Sequence, residues 1–160
     1  MDGFGDIKNG KGKYRTESEY LFSWLNLGDL TNKLFKNYNI KKIFDENKNL
    51  LKDEKSYFLH GDISYNNVIV SNNKINGIID FGDIICGPIE YDLSLFYLKI
   101  DDENWKNFIK GYNKKYNKKK FYLYLIAFGI WLIQDKLMDE NDTGYRKFLD
   151  SINIFLSNQI

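Results

Sequence analysis

The spacing of apolar positions changes along the chain, and each change predicts an element. Thr16-Glu17-Ser18-Glu19 has the Thr-x-x-Glu form of a capping box, just ahead of apolar Tyr20, Leu21, Trp24 and Leu25. This predicts a helix from about 16 to 37, with Gly28 its weak point. Ile40 to Leu51 reads as a second, shorter helix. Tyr57-Phe58-Leu59 and Val68-Ile69-Val70 are short runs of aromatic and β-branched residues. After the turn residues Ser71-Asn72-Asn73-Lys74 the apolar pattern resumes over Ile75 to Ile79, so this stretch reads as a small β-hairpin flanked by loops. From Asp92 onward the spacing is helical. Asp101 or Asp102 can cap a helix whose apolar face is Trp105, Phe108, Ile109 and Tyr112. Phe121 to Met138 has the character of a buried helix, and Phe148, Ile152, Phe155 and Leu156 form one stripe of a last helix. Residues 1 to 13, rich in glycine and lysine, read as an irregular lead-in. With no internal repeat and no interdomain linker, one α+β, mainly helical domain over residues 1–160 is expected.

Composition narrows the class. A chain of 160 residues suffices for one domain with a sizeable core, while two would be cramped. A hydrophobic content of 43% with 17% aromatics marks a globular chain rather than a disordered one. Lys plus Arg (23) nearly balance Asp plus Glu (22), so no global field points to nucleic acid or an anionic membrane. The single cysteine, Cys86, excludes an intrachain disulfide and fits a reducing compartment. Residues Met1 to Asp6 lack the basic region and apolar stretch of a secretory signal. The longest uncharged apolar run, the 13 residues from Phe121 to Ile133, is too short to span a bilayer. The expectation is a soluble, cytoplasmic protein.

Candidate chemistry gathers in Leu59-His60-Gly61-Asp62-Ile63-Ser64-Tyr65-Asn66-Asn67 and in Ile79-Asp80-Phe81-Gly82-Asp83. Asp62 precedes Asn67 by five residues, and Asn67 precedes Asp80 by thirteen. A loop after a short strand would present Asp62, Asn67 would begin the first strand of the hairpin, and the return strand would bring Asp80 beside it. An amide and a carboxylate then converge as hard oxygen ligands for Mg²⁺, an ion that keeps several waters. Asp62 stands apart, free to accept a proton from an attacking hydroxyl. Phosphoryl transfer divides its labour this way: a metal neutralises phosphate charge and a base orients the nucleophile.

His60-Gly61-Asp62 through Asn67, followed by Asp80-Phe81-Gly82, resembles the catalytic and metal-binding loops of the kinase-like superfamily. The closer resemblance is to its aminoglycoside phosphotransferase and choline kinase branch. Gly61 stands where protein kinases usually have an Arg, and no Ala-Pro-Glu motif follows. Gly87-Pro88-Ile89-Glu90-Tyr91-Asp92-Leu93 also looks like the segment after the metal-binding loop of the antibiotic kinases, so residues 58 to 98 carry the likeness. The resemblance implies a kinase-like C-terminal lobe with a small catalytic β-hairpin. It assigns Asp62 as base and Asn67 and Asp80 as Mg²⁺ and nucleotide ligands. The donor it implies is ATP or GTP, and the acceptor a small hydroxylated, aminoglycoside- or choline-like molecule. It also implies an N-terminal β-lobe with a phosphate-covering loop and a Lys. Nothing here reads as that lobe: Gly3-Phe4-Gly5-Asp6-Ile7-Lys8-Asn9-Gly10 tempts as a glycine loop, but no strand is expected before it and no Lys-bearing strand after it. The chain therefore reads as a C-terminal lobe whose N-terminal lobe is missing or separately encoded. Since one charge-assisted phosphate contact is worth on the order of 1.5–3 kcal/mol, weak Mg-ATP binding by the chain alone is expected.

Other residues have plainer readings. His60, the only histidine, reads as a structural residue that fixes its loop, and one histidine is too few for a metallophosphoesterase. Asp83 either touches magnesium or a substrate amine, or caps a turn. Asp92 either caps the next helix or braces the catalytic loop through its backbone. Cys86 reads as an inert thiol. Lys114, Lys115, Lys118, Lys119 and Lys120 read as a solvated loop. Tyr122, Tyr124, Phe128 and Trp131 fit a helix core, with a cationic-substrate pocket as the alternative. Asp135, Asp139, Glu140 and Asp142 would suit an aminoglycoside's ammonium groups and the aromatics would suit choline, which leaves the acceptor open. Two function classes remain: a phosphotransferase or its catalytic lobe, and a truncated, non-catalytic remnant that keeps the fold as a binding module. The intact Asp62, Asn67 and Asp80 favour the first; the absent lobe favours the second.

Overall fold

A computed structural model describes residues 2–25, 27, 38–52 and 55–157. The chain opens with a β-hairpin where the composition suggested irregular structure. Strands β1 (Phe4–Lys8) and β2 (Lys11–Tyr14) pair antiparallel across an Asn9-Gly10 turn with φ of 53° and 73°. Positive φ at both central positions is what a type I′ hairpin turn requires, and Asn-Gly is a favoured pair for it. Strand β3 (Tyr57–Leu59) is the short strand expected before the Asp62 loop. The next two strands, β4 (Val68–Ser71) and β5 (Lys74–Ile78), form the expected separate hairpin, turned at Asn72 and Asn73. Its apolar side chains stand open: Val70 is 60% and Ile75 70% exposed. A further strand with no clear sequence signal, β6 (Ile85–Gly87), inserts between β1 and β3 to give an antiparallel sheet of order β2-β1-β6-β3.

The first helix, α1 (Glu17–Trp24), starts at the expected capping box, with Thr16 Oγ1 accepting from the Glu19 N–H at 3.2 Å. It is shorter than expected, because Leu25 leaves the helix with an extended ψ of 105°. Gly28 and the rest of that expected helix lie outside the described residues. Helix α2 (Ile40–Glu46) gives way to a 3₁₀ turn over Lys48–Leu51. Four longer helices follow: α3 (Ile89–Lys99), α4 (Asp102–Tyr112), α5 (Lys118–Gln134) and α6 (Thr143–Leu156). Asp101 rather than Asp102 caps α4, accepting from the Asn104 N–H at 2.8 Å. The core centres on α5, whose Leu123 to Ala127 are fully buried, and α6 brings Phe148, Ile152 and Phe155 onto it. A Cβ at Gly129 would sit 2.1 Å from the Phe148 ring, so this glycine permits the close packing of α5 on α6. Leu156, expected in the same stripe, stays half exposed. Among the described residues no helix is long and apolar enough to cross a membrane.

The reading of the basic run as a solvated loop needs one correction. Lys114 and Lys115 are exposed, but Lys120 lies in the first turn of α5 and is 2% exposed. Its Nζ meets Glu17 Oε2 at 2.8 Å, and Glu17 is itself fully buried at the start of α1. Two charges removed from water together hold the two helix starts in register. Lys120→Ala, which leaves a buried carboxylate without its cation, should lower unfolding stability by roughly 3–5 kcal/mol in urea titrations. Glu17→Gln combined with Lys120→Met should recover most of that loss.

Candidate active site

The Asp62 loop leaves β3 and is fixed from behind. Asp92, on α3, accepts from the backbone N–H of His60 (2.9 Å) and of Gly61 (3.0 Å), which makes it a brace of the loop and not a helix cap. Burial raises the Asp92 carboxyl above the usual carboxylate range, and the two N–H bonds oppose the shift. A carboxyl shifted this way contributes stability at low pH, lost as pH rises from the ordinary value through the raised one. The ionised brace is thus held at some cost in solvation.

His60 links both halves of the site. Its Nε2 lies 2.9 Å from the Ile79 carbonyl, and its Nδ1 lies 3.3 Å from the Asp62 N–H. A carbonyl only accepts and an N–H only donates, so the proton is assigned to Nε2. The ring also packs on Phe81, 4.8 Å between centroids. The histidine is structural, joining the loop of Asp62 to the strand end before Asp80. Gly61 makes the tightest approach: at φ +83°, an added Cβ would stand 1.8 Å from the Asp83 carbonyl oxygen. Asp83 itself sits at the end of a 3₁₀ turn over Phe81–Asp83, its backbone against Gly61.

The three predicted residues take up defined positions. Asp62 walls a cleft of about 920 Å³ together with Asp6, Gly61, Asp83, Lys99 and Trp131. Its Oδ1 pairs with the ammonium of Lys99, at the C-terminal end of α3, while Oδ2 makes no hydrogen bond among the described residues. Asn67 is buried at the end of a 3₁₀ turn and donates from Nδ2 to the Asp62 carbonyl at 2.9 Å, which leaves its Oδ1 uncommitted. The Ile79 N–H donates to the Asn67 carbonyl at 2.9 Å, so the base of the hairpin sets Asp80 one residue from a direct backbone link to Asn67. Asp80 is exposed, in the left-handed region (φ 62°, ψ 62°), and its carboxylate makes no hydrogen bond or ion pair among the described residues. Neither Asn67 nor Asp80 walls the cleft. An uncommitted amide oxygen and an uncommitted carboxylate suit a hard cation. Among the described residues no group of three or more His, Cys, Asp or Glu side chains is arranged to hold a metal, so an ion here would draw most of its ligands from water and phosphate, the habit of Mg²⁺. Lys99 escaped the sequence reading, since nothing local marks a lysine 37 residues from its partner.

Comparison with known proteins places the chain in a family. The model of the phosphotransferase enzyme family matches residues 7–124, and the chain belongs to that family. The apo crystal structure of a thermostable mutant of aminoglycoside phosphotransferase APH(4)-Ia aligns with a TM-score of 0.66 and 17% identity, over 99% of this chain and 58% of that one. A thermostable mutant in ternary complex with AMP-PNP and hygromycin B gives 0.65 at 17% identity over the same shares. A further crystal structure of APH(4)-Ia gives 0.68 at 16%, again over 99% and 58%. At such identities the likeness establishes the fold, which is kinase-like and α+β. The chain spans little more than half the length of these neighbours. No curated protein sequence matches it significantly.

Two substitutions test the loop geometry. Gly61→Ala places a methyl against a backbone carbonyl at positive φ, and should cost roughly 2 kcal/mol or more in unfolding stability. Asp92→Asn, which turns an amide N–H₂ toward one of two buried N–H donors, should cost about 1–3 kcal/mol. It should also speed hydrogen exchange at the His60 and Gly61 amides.

Proposed function

We propose that this chain carries the catalytic part of a phosphotransferase that moves the γ-phosphoryl group of ATP or GTP to a hydroxyl of a small molecule. The observation that carries this reading is the Asp62 carboxylate, anchored through one oxygen by Lys99 and uncommitted at the other, in a cleft large enough for substrate. Asp62 accepts the hydroxyl proton as the phosphoryl group leaves the nucleotide. Lys99 keeps the carboxylate in place. Asn67 Oδ1 and the Asp80 carboxylate hold Mg²⁺, which when bound offsets the charge of the phosphates. Their attachment to opposite sides of the hairpin base supports that pairing. The nucleotide-covering loop and its Lys belong to a further lobe, as family resemblance implies. Nucleotide-bound forms of the structural neighbour support a nucleotide donor.

The test is transfer of label from γ-labelled ATP or GTP with Mg²⁺ to a panel of hydroxylated amines, using the chain alone and joined to a nucleotide-binding lobe. Asp62→Asn should slow transfer by roughly 100-fold or more, the usual share of a general base. Undiminished transfer in that variant would remove Asp62 from its role. Asp80→Asn is a second probe, since Asn tolerates left-handed backbone. It should weaken Mg²⁺-dependent nucleotide binding without moving the thermal midpoint. A chain that binds these ligands in every format yet never transfers label would be a binding module.

A further inference from the structure

A cavity of about 360 Å³ lies at the N-terminal end of α3 and shares no lining residue with the cleft of Asp62. Its Glu90 stands nine residues before Lys99 on that helix, roughly 13 Å along the axis. Glu90 is only 6% exposed, and its Oε1 accepts from the Asn117 N–H at 2.7 Å. Its Oε2 accepts no hydrogen bond among the described residues, yet that oxygen is not sealed off. It is open to the cavity that Glu90 lines. Tyr57 and Tyr116 form part of the wall. Burial raises the Tyr116 phenol, with the charges of Tyr122 and Glu90 adding to the shift. Burial also raises that of Tyr112, and there Glu90 adds next. The Glu90 charge is thus felt at both rings, and both phenols stay neutral near pH 7. Lys55 and Lys115, both exposed, complete the wall and make no ion pair among the described residues.

The charges of this wall select a ligand by elimination. A simple amine would pair with Glu90 and then face two ammonium groups. A simple anion would pair with the lysines and then face a buried carboxylate, a costly neighbour where water is scarce. A molecule with one charge of each sign, a few bonds apart, answers both. An α-amino acid is built this way, with ammonium and carboxylate on one carbon. Pro88 and the two tyrosine rings offer apolar faces to its side chain. The volume, at the low end for ligand pockets, suits a single amino acid better than a peptide.

We propose that this cavity binds a free α-amino acid with an apolar side chain, as its zwitterion. The ammonium donates to Glu90 Oε2, the carboxylate accepts from Lys55 and Lys115, and the side chain lies on Tyr57 and Tyr116. Binding here does not depend on the function proposed above, and its test needs no nucleotide. The 160-residue chain is titrated with L-leucine and with L-phenylalanine, and amide NMR shifts report binding. Each amino acid is matched with its N-acetyl derivative, which lacks the ammonium, and with its decarboxylated amine, 3-methylbutylamine or 2-phenylethylamine. At least one amino acid should bind more tightly than both of its matched compounds, by about fivefold or more. Glu90→Gln, which keeps an oxygen for the Asn117 N–H, should weaken that amino acid about fivefold or more and leave its N-acetyl form no weaker. Lys115→Gln, at an exposed position, should weaken it about threefold or more without moving the thermal midpoint. An amine or an N-acetyl form that binds as tightly as its amino acid would overturn the proposal. So would the absence of saturable binding by both amino acids, or indifference to either substitution.

Discussion

A half-buried carboxylate grips two successive backbone N–H groups, and the geometry of the site hangs on that grip. Asp92 belongs to α3, which packs into the helical core, while His60 and Gly61 belong to the loop that presents Asp62. The loop is therefore referenced to the core through its backbone, and the side chain of Asp62 remains available. His60 carries the reference one step further, to the carbonyl of Ile79 beside Asp80. Three segments distant in sequence become one body through three hydrogen bonds and a ring contact.

The same helix serves the site at its far end. Lys99, at the last turn of α3, meets the carboxylate that Asp92 indirectly positions two turns earlier. Placement of α3 is thus the mechanical problem of the fold. It packs chiefly on α5, and α5 is tied to α1 by the buried Lys120–Glu17 pair. A polar contact in the interior fixes the register of the helices that the polar contacts of the cleft require.

Legibility in the sequence followed the distance over which information had to travel. The capping box at Thr16, the hairpin after Asn67 and the stripe of α6 are set by neighbours a few residues apart, and spacing revealed them. The order Asp62, Asn67, Asp80 was equally visible, because a loop and a hairpin are local objects. The hydrogen bonds that link those residues are structural information that spacing alone did not supply. Lys99 could not be found, since the pairing depends on how α3 docks. The opening hairpin was missed for a different reason: its lysines and glycines conceal the alternation, and only the Asn9-Gly10 dipeptide marks the turn. Lys120 departs from the expected solvated run because it lies in the first turn of α5 facing the core, while Lys114 and Lys115 precede the helix and Lys119 is half-buried. Trp131 shows the limit of periodicity: its half-buried position borders two cavities, and an apolar helix with occupied faces all round offers no way to tell a wall from a core.

The glycine at position 61 has a consequence for control. In protein kinases, ordering of the activation segment by phosphorylation relies on arginines that capture the new charge. Here a positive φ and a carbonyl 1.8 Å from the would-be Cβ leave no volume for even a methyl group, let alone a guanidinium. The loop that presents Asp62 is locked by its own main chain and has no receptor at that position for a remote phosphate. A loop built this way holds its shape without a charge-triggered ordering step.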